Sequence, residues 1–200
     1  MATQTFELVS PFLTIYAPSK KWGGDSSLLL GQTASRLVAG ELLTYKDANS
    51  VERPSVSFGQ SLDASNNELG LGNQFAAPYF SETGRGDIIT GGKVPVLQFG
   101  PFEADTMVFM REGDQNLDGN GAGQGNLAAG PVSGLSVGAK VVAAAVRNPL
   151  NGSSFDSSNY VIGIAPHDKV GTNAGPVIGR ISRVIGSGAS AKIRVMFGVN

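Results

Sequence analysis

The chain has no cysteine, one histidine and one tryptophan, and only 16% of its 200 residues are charged. Without thiolates there are no disulfide staples and no cysteine-ligated metal sites. A single histidine, His167, argues against a zinc centre, which needs four ligands, and leaves a hydrolytic triad only one candidate base. His167 lies in Ala165-Pro166-His167-Asp168-Lys169, read as a solvated turn, and no nucleophile-elbow motif accompanies it. The net charge of −1 supplies no global field that would draw nucleic acid or a membrane surface. The longest apolar run, Val141–Val146, is far shorter than the roughly 20 residues of a membrane helix. The opening residues carry no basic segment followed by an apolar stretch, so no secretory leader is expected and synthesis in a cytoplasm is.

What is abundant is turn punctuation. There are 28 glycines and 10 prolines, clustered between short apolar runs, while 41% of the residues are hydrophobic. That hydrophobic share sets the chain apart from a disordered one. The clearest unit is Pro176–Ile185, a turn at Gly186–Ser190, then Ala191–Phe197. In its second arm Ala191, Ile193, Val195 and Phe197 share one face, and Lys192 and Arg194 share the other. That period of two is the mark of a half-buried strand.

Further strands are expected at Leu37–Tyr45 and Val51–Pro54, joined as a hairpin by the polar turn Lys46–Ser50. Others are expected at Val94–Phe99, Thr106–Met110, Leu135–Gly138, Lys140–Val146 and Tyr160–Ala165. The alanines of 139–146 also suit a helix, but β-branched valines and the stop at Asn148-Pro149 favour a strand. The fold class is therefore all-β, a compact barrel or sandwich spanning 37–200 with a loop-rich insertion at 59–92.

Residues 1–36 follow other rules. Phe6, Phe12, Tyr16 and Trp22 are spread among prolines and glycines with no helical period. This pattern suits an extended arm whose apolar side chains dock on a partner, or else a pair of strands belonging to the same domain.

Candidate chemistry is sparse. Asp114-Gln115-Asn116-Leu117-Asp118-Gly119 matches the first half of a calcium loop, with Asp114, Asn116 and Asp118 as oxygen ligands. Gly125 stands where the closing bidentate glutamate is needed, so a polar loop is the preferred reading and no metal or cofactor is expected. Gly186–Ala191 spells a loose dinucleotide fingerprint, but a strand follows where a helix is required. Gly91-Gly92-Lys93-Val94 lacks the hydroxyl residue of a phosphate-binding loop. Arg180, Arg183, Lys192 and Arg194 concentrate positive charge on the terminal hairpin, read as a solvated face or a docking surface for an acidic protein. The aromatics that a nucleic-acid platform needs are not interleaved with them.

The order of segments carries a resemblance. Val38–Thr44 with Arg53-Pro54, Val96–Phe109, Gly134–Gly138, Val161–Ala165 and Gly175–Phe197 together resemble the head decoration (cement) proteins of tailed bacteriophages and related small virion proteins. The resemblance implies a β-rich module on the capsid exterior, with no catalysis. It implies binding to the major capsid protein and to itself as a homotrimer, and no contact with nucleic acid or membrane. A tail, connector or fibre component is the nearest alternative. A carbohydrate-binding module stacking sugars on Trp22, Tyr79 and Phe80 is a more distant one.

Overall fold

The computed structural model describes residues 5–11, 19–22, 38–47, 50–52, 77–78, 93–97, 101–114, 130–149, 160–169 and 177–199. The described elements are eleven strands and two short 3-10 turns: β1 (Phe6–Pro11), β2 (Ser19–Trp22), β3 (Thr44–Asp47), β4 (Ser50–Glu52), β5 (Ala77–Pro78), β6 (Lys93–Leu97), β7 (Phe102–Thr106), β8 (Lys140–Arg147), β9 (Tyr160–Pro166), β10 (Gly179–Ile185) and β11 (Lys192–Phe197), with 3-10 turns at His167–Lys169 and Gly188–Ser190. One sheet has six strands in the order β1-β7-β11-β10-β8-β9, and a second has five in the order β3-β4-β2-β6-β5. The class is all-β. Among the described residues no helix is long and apolar enough to cross a membrane.

Side-chain period explains the six-stranded sheet strand by strand. Along β11 burial alternates strictly, with Ile193, Val195 and Phe197 inside and Lys192, Arg194 and Met196 less buried. β8 is different: every residue after Lys140 is buried, so Val141–Val146 is covered on both faces. Small alanines at 143–145 let neighbours approach, and β8 pairs with β9 over a full ladder from Val141↔Pro166 to Arg147↔Tyr160. The strand reading of this segment holds. The Phe102 and Phe197 rings stack at 4.9 Å between β7 and β11, neighbours in the sheet.

β7 ends where Thr106 Oγ1 accepts a hydrogen bond from the Val108 amide at 3.0 Å, a local bond that turns the chain out of the ladder. The expected strand at Thr106–Met110 is thus displaced: β7 precedes it, and 108–110 runs beside β9. There Ile164 donates to Val108 O at 3.0 Å, Met110 donates to Ile164 O at 2.8 Å, and Leu42 donates to Ile162 O at 2.9 Å. A single parallel bridge, Phe109↔Ile164, accompanies these bonds. This contact brings the continuation of β7 onto the outer edge of β9, at the far end of the same sheet. Gly163 permits it, because a Cβ there would meet the Val108 carbonyl oxygen at 2.6 Å as well as the Val146 side chain.

The expected strand Leu135–Gly138 and the first half of the expected strand Leu37–Tyr45 are turns. At Val38–Glu41, Glu41 donates its amide to Val38 O at 3.0 Å while its carboxylate accepts the Val38 amide at 3.2 Å. Gly40 occupies this turn at φ +88°, a region costly for residues with a Cβ. At 132–139, Leu135 donates to Val132 O and Ala139 to Ser136 O, both at 3.0 Å. In both places short-range bonds combine with single bonds to distant strands, Leu42 to Ile162 O and Gly138 to Ile181 O, so Val38, Leu42 and Leu135 are buried without a ladder while Val137 stays exposed. The hairpin after Leu43 does form, with a shorter connection than Lys46–Ser50, since β3 runs to Asp47 and β4 begins at Ser50. Of the 59–92 insertion only Ala77–Pro78 is described, paired with β6.

Residues 6–11, within the expected arm, are a strand of the main sheet paired with β7. Phe6 is 3% exposed and belongs to this chain's own core, so it is not a partner-docking residue. Its burial follows from register: Phe6 lies opposite Thr106, against the turn that carries Gly40. Residues 19–22 likewise supply β2, paired with β4 and β6.

Candidate functional site

The outward face of the main sheet carries a row of charges set by register. Glu7 of β1 is opposite Asp105 of β7, Asp105 is opposite Arg194 of β11, and Arg194 is opposite Arg183 of β10. Across four strands the row reads minus, minus, plus, plus. Its centre is a two-pronged ion pair, with Arg194 Nε 2.7 Å from Asp105 Oδ1 and Nη2 donating to Oδ2 at 3.0 Å. The hydrogen bond that Arg194 donates to Asp105 holds its guanidinium above its ordinary pKa, with burial pulling the other way. Lys192 Nζ lies 3.9 Å from Glu7 Oε2, and Arg180 Nη1 donates to Gly138 O at 3.3 Å. Arg183 is exposed, and among the described residues no carboxylate pairs with it.

Because the central pair is partly solvated, its net contribution is modest despite good geometry. Replacing Arg194 by glutamine is expected to cost about 1 kcal/mol. Urea unfolding monitored by circular dichroism measures this, and a loss above roughly twice that would mean the pair is held in a drier setting than its exposure indicates.

Beneath the hairpin sits a second, buried cluster. Arg147, the last residue of β8, donates from Nε at 2.9 Å and Nη2 at 2.8 Å to Asp114 Oδ1. The other carboxylate oxygen of Asp114 accepts the Arg111 amide at 2.9 Å. Arg111 then reaches the turn between β10 and β11, donating from Nη1 to Gly188 O at 3.1 Å and from Nη2 to Ala189 O at 3.3 Å. Its guanidinium stands 4.7 Å over the Phe109 ring. Burial raises the Asp114 carboxyl above its ordinary pKa, opposed by the Arg111 amide and the Arg147 guanidinium. Burial lowers that of Arg111, opposed by the charge of Asp114. The cluster clips the hairpin turn to the framework.

The terminal hairpin brings four of the candidate residues together: Arg180, Arg183, Lys192 and Arg194. Two of them, Lys192 and Arg194, are engaged by carboxylates of the same sheet rather than held ready for a partner. Asp114 is corrected as a calcium ligand, since both of its oxygens are committed to Arg147 and the Arg111 amide. Asn116, Asp118, Phe12, Tyr16, Tyr79 and Phe80 lie outside the described residues. Trp22 ends β2 in register with Val51. His167 is exposed in its 3-10 turn. Among the described residues no three acidic or histidine side chains are grouped to hold a metal ion.

Arg111 and Arg147 were not singled out by sequence reasoning. The available signal was an arginine closing the wholly apolar run Val141–Val146, where a charge can be kept only with a buried counter-ion. Comparison of the chain with protein-family models, with curated proteins and with solved structures finds no match.

Proposed function

We propose that this protein is a structural virion component that binds and stabilises the capsid shell of a tailed phage as a decoration protein, acting as a homotrimer on the capsid exterior without catalysis. The observation that carries the reading is the contrast between the two charge clusters. The buried one is consumed in holding the hairpin, while the exposed one gathers on the hairpin's outward face. A rigid sheet that presents charge by backbone register suits binding by surface, where many equivalent weak contacts on a shell add through multivalency. The major capsid protein is the partner this reading names.

The test is direct. Purified protein added to expanded capsids that lack it is expected to co-sediment with them and to raise their rupture temperature. Capsids that neither bind it nor gain heat resistance would sink the reading.

A further inference from the structure

Register gives the outward face of the main sheet one electrical direction. The row through Arg194 reads Arg183, Arg194, Asp105, Glu7 from β10 to β1. Two residues away along β11, a second row reads Lys140, Arg180, Met196, Glu103 across β8, β10, β11 and β7. Both rows are positive at the β8–β10 end and negative at the β7–β1 end. Lys140 lies outside the terminal hairpin and joins its basic residues because β8 pairs with β10 at Arg180.

The two halves differ in how their charge is used. The acids gather about β11: Asp105 takes two bonds from Arg194, Glu103 and Glu7 add their charge around the same guanidinium, and Glu7 lies 3.9 Å from Lys192. The bases of β8 and β10 are turned outward. Lys140 and Arg183 are exposed, and Arg180 donates to the neutral Gly138 carbonyl at 3.3 Å. Among the described residues no carboxylate pairs with these three. Next to Gly138, Val137 is 69% exposed and gives the basic half an apolar margin. The described residues of this face include five bases, Lys140, Arg180, Arg183, Lys192 and Arg194, against three acids, Glu7, Glu103 and Asp105. The face is thus net positive, although the whole chain carries −1.

We propose that the basic half of this face, Lys140, Arg180 and Arg183 with Val137 at its margin, docks a carboxylate-rich segment of the shell protein; this rests on the decoration reading above. Charge complementarity selects that partner over two others. A nucleic-acid strand carries its charge evenly along its length and would run from β10 onto the acids of β7 and β1. Two copies facing one another across a two-fold axis would pair bases with acids, but would also press two net-positive faces together. An acidic protein segment that lies over β8 and β10 and ends at β11 meets neither penalty. The acids of β7 and β1 then repel a segment that arrives in the wrong place, which sets its position. Each contact is solvated, so a single site is weak and salt-sensitive, and repetition over the shell supplies the rest.

Co-sedimentation of the full chain with expanded capsids that lack it, at about 50 mM and about 500 mM salt, tests this. At the lower salt K140E/R183E is expected to bind about thirtyfold more weakly than the parent, and at the higher salt the two should agree within about threefold. E7K, which reverses a charge on the acidic half, should bind at least as tightly as the parent. Lys140, Arg183 and Glu7 are exposed, and the new glutamates at 140 and 183 face Arg180 and Arg194, so folding is retained. Melting temperatures by circular dichroism, expected to match the parent's, separate lost binding from lost structure. A parent that does not bind capsids overturns the decoration reading and this site with it. A parent that binds, with K140E/R183E equal to it at both salts, overturns the site alone, as does a loss in E7K as large as that in K140E/R183E. Sedimentation velocity and a fluorescent thymidine oligonucleotide decide the other occupants. Parent oligomers that dissociate in K140E/R183E, or oligonucleotide binding that disappears in it, would give the face to a second copy or to nucleic acid and overturn the proposal.

Discussion

Replacing Arg147 by alanine is expected to lower the stability of the fold by about 3–5 kcal/mol, the largest loss predicted for a single truncation here. The size follows from what is left behind. Arg147 and the Asp114 carboxylate are both buried, and two guanidinium nitrogens bond one carboxylate oxygen. Without the arginine, Asp114 keeps the Arg111 amide but loses its strongest counter-charge in a place water does not reach. Desolvation of that kind is costly because the low-dielectric interior offers no replacement. For a chain of this length the loss corresponds to a melting temperature lower by on the order of 10 °C. Thermal unfolding followed by circular dichroism measures it. A double replacement, R147M with D114L, removes both charges together and should recover part of the loss, since an apolar pair of similar volume leaves no orphan. A single variant that melts within about 2 °C of the parent would mean that the pair is hydrated.

Gly163→Ala is expected to cost about 3 kcal/mol, at the upper end of what overpacking produces. Most added methyl groups in a core are absorbed by neighbouring rotamers, and here part of the obstruction is of that kind: the side chains of Val146 and Val108 both stand in the way. The other part is the Val108 carbonyl oxygen, 2.6 Å from the added carbon. That oxygen accepts the Ile164 amide, so it cannot withdraw without opening the contact that covers the β9 edge. Guanidinium denaturation should show the loss, and adding V146A to Gly163→Ala should restore little of it, because the carbonyl remains. Full rescue by V146A would show that the side chain alone sets the limit.

These two sites also mark where sequence reading succeeds and where it stops. Strand identity in β8, β10 and β11 was legible because each strand's burial follows its own residues: alternation in Ala191–Phe197, continuous burial in Val141–Val146. Leu37–Tyr45 and Leu135–Gly138 read as strands because they are apolar and punctuated by glycine, yet only Thr44-Tyr45 lie in one, and 38–43 and 135–138 do not. They are turns because short-range backbone bonds, and in one case the Glu41 carboxylate, fold them back, and their remaining bonds go singly to distant residues, Ile162 and Ile181, instead of forming a ladder. The buried ion pair joins residues 33 positions apart, and the Arg111 bond to Gly188 spans 77, so the apolar run before Arg147 signals a buried charge but no local pattern names its partner. The basic residues of the terminal hairpin were visible as a group. Their partners Glu7 and Asp105 were not, because only the register of β1 and β7 against β11 brings them into line.

The strand order carries a consequence for how the molecule comes into being. β11 follows every other described strand in the chain, yet it lies inside the main sheet between β7 and β10. A nascent chain made only as far as β10 has its first strand pair, β1 and β7, with a bare apolar flank where Val195 and Phe197 will later lie. The sheet is completed by insertion rather than by growth at its rim, and the insertion must wait for residues 192–197. Long-range pairing of this kind folds slowly. Until it happens, the facing edges of β7 and β10 lack the strand that pairs with both in the finished sheet, and unpaired edges of this kind are prone to wrong association during folding.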